Sequence, residues 1–129
     1  MNYESRTGAV LFARGLDRIA IFYSAVLGLT ETNRDEDHIV LESPGFQLVV
    51  HRIPGNGATT VENGEPILRH ATAAFKPVFF VPSIANVRLL AQTHGGVMEP
   101  IEMEWSFNGV PVCDGVDPEG NVIQFREIR

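Results

Sequence analysis

The chain of 129 residues carries one cysteine, four histidines and 16 carboxylates, and their spacing narrows the chemistry open to it. Cys113 attacks only as a thiolate, and its neighbours Asp114 and Asp117 would raise a thiol pKa where they point its way, so it reads as a small buried hydrophobe. His38, His51, His70 and His94 form no HxH or HxxxH pattern and no His-plus-carboxylate spacing of the kind that gathers ligands around a metal. No Gly-x-Ser-x-Gly elbow is present, and the glycine-rich Pro54-Gly55-Asn56-Gly57 and Gly95-Gly96 lack the strand-loop-helix setting of a phosphate cradle. Binding groups are better placed. In Asn121 to Glu127, strand alternation puts Gln124 and Arg126 on one face, an amide and a guanidinium suited to a polar or anionic ligand.

These side chains need elements to hold them, and the apolar spacing supplies a list. Thr7 to Ala13 reads as a strand, and Leu16, Ile19, Ala20, Tyr23, Val26 and Leu27 then mark one face of a helix that Gly28 ends. Strands are predicted at Thr30 to Arg34, His38 to Glu42 and Phe46 to Ile53, parted by the turn segments Asp35 to Asp37 and Ser43 to Gly45. The order then repeats: strand Pro77 to Val81, a helix capped by Ser83 and stopped at Gly95-Gly96, and strands near Ile101 to Trp105, Val110 to Val116 and Asn121 to Glu127. A shift of 68 residues lays Leu11-Phe12-Ala13 on Phe79-Phe80-Val81 and Gly28 on Gly96, so the chain reads as βαβββ twice.

Composition sets outer limits. With 44% hydrophobic and 20% charged residues the chain is neither disordered nor fibrous, and its length suits one domain of two modules, about 5–53 and 75–129, joined by a linker at about 54–74. No apolar run reaches the roughly 18 residues of a membrane span. Ten basic residues against 16 acidic ones, a net charge of −6 with no basic cluster, argue against nucleic acid as a partner. Met1 to Arg6 is polar, unlike a secretory signal, and a lone cysteine forms no intrachain disulfide, so a cytoplasmic location is expected.

The tandem βαβββ order, the segment Ile21-Phe22-Tyr23-Ser24-Ala25-Val26-Leu27-Gly28-Leu29 and the ending Asp117-Pro118-Glu119-Gly120-Asn121-Val122-Ile123-Gln124-Phe125 together resemble the vicinal oxygen chelate superfamily. That group includes glyoxalases, extradiol dioxygenases, fosfomycin-resistance transferases and bleomycin-binding proteins. The resemblance implies an α+β fold whose modules form a curled mixed sheet around one cavity. In metal-dependent members a His or Gln on a module's first strand and a Glu on its last strand hold a divalent ion that acts as a Lewis acid. Carried onto this chain, the first-strand positions fall at Gly8 and Lys76, the last-strand position of the second module at Gln124, and that of the first at Gln47 or Val49. None is a His or Glu, and a neutral amide alone is a weak ligand for a hard ion.

The expectation is therefore a small-molecule-binding protein of the glyoxalase/bleomycin-resistance type without the superfamily metal and with no cofactor. A metal-dependent lyase, isomerase or dioxygenase-like enzyme is the alternative, and a pseudo-enzyme acting through protein contacts a second one; enzymatic turnover is left open. Ligand-binding candidates are Gln47, His51, Trp105, Phe107, Gln124 and Arg126. Ordinary core or dimer packing is the competing reading for Trp105 and Phe107, and a structural amide bridging the modules that for Gln124. A small organic molecule and a second copy of the chain, as a homodimer, are the expected partners.

Overall fold

The structure is a computed structural model that describes residues 6–54 and 73–128. Most of the segment expected to be the linker, His70 included, lies outside these residues. The first module runs β1 (Thr7–Ala13), α1 (Leu16–Leu27), β2 (Thr30–Arg34), β3 (His38–Ser43) and β4 (Phe46–Arg52). The second runs β5 (Val78–Val81), α2 (Ile84–Thr93), β6 (Val97–Met98), a 3-10 turn (Ile101–Met103), β7 (Trp105–Phe107), β8 (Val110–Val116) and β9 (Val122–Glu127). Gly28 takes the left-handed conformation expected of a helix stop, with φ 66°.

The strand expected near Ile101 to Trp105 is the one local correction. Apolar and acidic residues alternate there, but Pro100 leads into two tight turns in which Met103 N–H donates to the Pro100 carbonyl and Glu104 N–H to that of Ile101. The strand starts only at Trp105. A two-residue strand, β6, escaped the sequence pattern because it is too short to show a period.

The strands form two mixed sheets that do not join, in the orders β1-β4-β3-β2 and β5-β9-β8-β6, with β7 also paired to β8. In each sheet the first strand of the module runs parallel to its last, and all other pairs are antiparallel. The α+β class and the repeated module stand as expected, with the curled sheet made of two mixed halves that do not close.

Alternation along the strands decides what each sheet buries. Ala13, Ile39, Leu41, Leu48 and Val50 from the first sheet, and Val81, Cys113, Ile123 and Phe125 from the second, join Ile19, Phe22, Tyr23, Ile84 and Val87 of the helices in one core. The helices also touch each other. Burying such side chains stabilises the fold by about 1.5–3 kcal/mol each. The sheet faces turned away from the helices carry exposed apolar side chains such as Phe12 and Phe80, while Val112 and Gln124 of the second face are buried.

The register also settles which residues of the two modules correspond. Ala13 faces Arg52 as Val81 faces Glu127. Counting back, Val10 and Val49 match Val78 and Gln124, while Phe12 and His51 match Phe80 and Arg126. Of the two residues left open for the first module's last-strand ligand point, Val49 is the one equivalent to Gln124.

Candidate binding face

On the second sheet, Val112 and Asp114 of β8 stand opposite Arg126 and Gln124 of β9, and Trp105 of β7 stands opposite Val112. These residues share the face that points away from α2. Gln124 is 5% exposed, and both ends of its amide are used: Nε2 donates to Asp114 Oδ1 at 3.1 Å, and Oε1 accepts from Arg126 Nε at 2.8 Å. Lys76 Nζ reaches the other oxygen of Asp114 at 2.9 Å. The result is a polar chain, Lys76 to Asp114 to Gln124 to Arg126, crossing the sheet. At its end the Arg126 guanidinium lies over the Phe107 ring, 4.6 Å from the centroid, within cation–π range. Phe80, Trp105 and Phe107 around it are 63%, 43% and 49% exposed.

The equivalent face of the first sheet has different chemistry. Glu42 collects donors from Gln47 Nε2 (2.9 Å), Thr32 Oγ1 (3.2 Å) and Arg6 (3.1 Å), and the bond from Gln47 is the main reason its carboxyl lies below the usual range. At the other end His38 and His51 stack as cross-strand neighbours with ring centroids 6.2 Å apart, and Phe12 meets the His51 ring edge-on. His51 Nδ1 lies 2.7 Å from the Arg52 carbonyl oxygen, which only accepts, so this nitrogen carries the proton.

Of the six binding candidates, Trp105, Phe107, Gln124 and Arg126 thus gather on one face, and Gln47 and His51 lie on the other sheet. Asp114 and Phe80 were missed. Period-2 counting from Gln124 stays within one strand, whereas their membership depends on pairing with β8 and β5.

Cys113 points to the opposite side, into the core beneath α2, with Arg88 Nη2 3.5 Å from its sulfur. Burial pushes its thiol up, against the opposing pull of the Arg88 guanidinium.

The closing motif Asp117-Pro118-Glu119-Gly120-Asn121 serves the scaffold. Asp117 is fully buried and accepts from Tyr23 Oη (2.8 Å), Asn121 Nδ2 (2.8 Å) and the backbone N–H groups of Glu119 (2.9 Å) and Asn121 (3.1 Å). Burial still holds its carboxyl above the usual range, and burial followed by the Asp117 charge pushes Tyr23 well above its own. Glu119 accepts from the backbone N–H groups of Arg14 (2.9 Å) and Gly15 (2.7 Å) and from the Arg18 side chain (2.8 Å), so it holds the start of α1 in place.

A cavity of about 270 Å³ opens between the modules, walled by Ala9, Leu11, Leu48, Phe75, Phe79 and Ile123. None of the six candidates lines it, and the Tyr23 hydroxyl at its wall is committed to Asp117. Among the described residues no three His, Cys, Asp or Glu side chains gather where they could hold a metal ion. No described helix is long and apolar enough to cross a membrane.

Comparison with known proteins gives the class. No family profile matches the chain, and no curated protein matches it. Solved structures do. A glyoxalase/bleomycin resistance protein/dioxygenase family enzyme from Burkholderia phytofirmans PsJN is 14% identical with a TM-score of 0.69, covering 98% of this chain and 100% of that one. A bleomycin resistance determinant encoded on the transposon Tn5 is 16% identical with a TM-score of 0.63, covering 96% and 98%. A lactoylglutathione lyase from Agrobacterium tumefaciens is 19% identical with a TM-score of 0.62, covering 98% and 96%. The chain has the fold of the glyoxalase/bleomycin-resistance/dioxygenase proteins, the fold its sequence resemblance implies.

Proposed function

We propose that this chain is a member of the vicinal oxygen chelate superfamily that binds a small organic molecule on its open sheet faces and works without the superfamily metal. One observation carries the reading. At the ligand points of the second module stand Lys76 and Gln124: Lys76 Nζ and Gln124 Nε2 both donate to Asp114, and Gln124 Oε1 accepts from Arg126. An ammonium repels a cation, and the amide has no free oxygen to offer. The first module fits a metal no better: Val49 is apolar, and a side chain added at Gly8 would bring its Cβ to 3.1 Å from the Gln47 carbonyl oxygen. An aromatic rim around a few polar anchors is the usual make-up of a small-molecule site.

A homodimer belongs to this reading, because the first sheet's open face carries the large exposed apolar groups Val10 and Phe12, apart from the aromatic rim of the second.

Elemental analysis of protein purified without chelator, then soaked with nickel, zinc, manganese or iron(II), is expected to find no tightly held metal; about one equivalent per chain would favour the metal-dependent enzyme instead. A small-molecule library screened on the Trp105 signal is expected to give binders, and Gln124→Ala to weaken them about tenfold by freeing Arg126. Unchanged affinity in a folded Gln124→Ala protein would remove that residue from the site.

A further inference from the structure

We infer that the second-sheet face is selective for a flat aromatic carboxylate, with Arg126 as the group that grips the acid. The inference rests on the binding reading above and names the ligand class for that face. Arg126 donates through Nε to Gln124 and lies over Phe107, yet neither terminal nitrogen meets an acceptor among the described residues. A guanidinium held at one nitrogen and backed by a ring presents its remaining N–H groups as a fixed fork, the geometry that takes a carboxylate through two parallel bonds. The nearest acid on the same face does not compete for it, since Asp114 is already bound to Lys76 and Gln124.

The surroundings of the fork define the body of the ligand. Across the sheet Trp105, Val112, Arg126 and Phe80 form one row on four strands, with Phe107 beside it. Adjacent strands are about 4.8 Å apart, so Phe80 lies roughly 5 Å to one side of Arg126 and Trp105 roughly 10 Å to the other. Val112, between Arg126 and Trp105, has no exposed surface, and the Arg126 side chain passes over it to reach Phe107 on β7. An acid seated on that guanidinium therefore lays its ring system against the exposed indole of Trp105, two residues from Phe107 on the same face of β7. A single negative charge suits the site better than a phosphate dianion, given the net charge of −6.

Trp105 is the only tryptophan, so its indole N–H gives one assignable NMR cross-peak at the site. The test titrates full-length protein with 2-naphthoate and with the isosteric neutral 2-naphthamide. The acid is expected to move the Trp105 cross-peak and to bind about tenfold more tightly than the amide, a difference that Arg126→Gln removes and Arg126→Lys keeps only in part. A thermal melt confirms that each variant is folded, and Arg126→Lys serves if Arg126→Gln is not. Equal binding of acid and amide, a preference that survives Arg126→Gln, or no binding of the acid at millimolar concentration overturns the inference. If other flat compounds move Trp105 while 2-naphthoate does not, the ligand class falls and the binding reading stands; if no small molecule moves it, both fall.

Discussion

The two helices begin in different ways. α2 has a local cap: the Ser83 side chain accepts from Asn86 N–H at 3.1 Å, three residues on, and Glu127 from the end of β9 accepts from Ile84 N–H at 2.9 Å. Gly15, just before α1, has no side chain to cap with, and its N–H and that of Arg14 are met by Glu119, more than a hundred residues later in the chain. Near the middle of α1, Tyr23 is anchored on Asp117 of the same turn. The second module thus completes its own helix and also that of the first, so the modules are alike in outline and unequal in dependence. What looks in the sequence like a duplicated unit is a scaffold half and a dependent half.

Substitutions can break that asymmetry in graded steps. Asp117→Ala is expected to cost the most, about 3 kcal/mol in urea unfolding, because the buried Tyr23 hydroxyl and two backbone N–H groups lose their acceptor. A loss below about 1 kcal/mol would mean that the turn holds without its anchor. Glu119→Ala comes next, at about 1–2 kcal/mol, and hydrogen exchange should quicken in the first turn of α1 while α2 keeps its protection. Ser83→Ala is the mirror experiment: about 1 kcal/mol, with faster exchange confined to the first turn of α2. If Ser83→Ala loosened α1 instead, the dependence would run the other way.

The smallest effect concerns the first sheet alone. Glu42 is held below the ordinary 4.5 by Gln47, with Thr32 and Arg6 adding to it against some burial. A depressed carboxylate stabilises the folded state in full above its unfolded pKa, and that contribution fades as pH falls through the folded value. The stability difference between wild type and Glu42→Gln should therefore be flat above about pH 4.5 and shrink below it. A difference growing toward low pH would show the sign to be wrong.

The sequence pattern made some of this legible. β1, β2 and β8 fall at the expected bounds because turn residues mark their ends, Arg14-Gly15 after β1, Asp35 to Asp37 after β2 and Asp117 to Gly120 after β8. Gly28 and Gly96 align under the repeat, yet for different reasons. Gly28 adopts a positive φ with open space around it, whereas a Cβ at Gly96 would run into the Phe22 ring and the Val116 carbonyl. Spacing marked both as helix stops and could not reveal the crowding at Gly96, which comes from Phe22 of the other module and from Val116 across the sheet. The same limit applied to the binding face. Gln124 and Arg126 were found together because alternation along one strand is local, while Asp114 and Phe80 joined them only through sheet register. The closing motif was recognised as a family signature, but its work, holding the start of α1 and anchoring Tyr23, spans separations that no short pattern encodes.

The Glu119 contact also bears on the order in which the protein comes into being. A ribosome delivers α1 long before it delivers residue 119, so the first module leaves the exit tunnel with its helix start open and Tyr23 without its acceptor. Native contacts that join distant parts of a chain form slowly, and here they close only when almost all of the described chain has emerged. Until then the nascent first module presents an unfinished helix beside the unpaired outer edge of β1, the kind of surface that chaperones recognise.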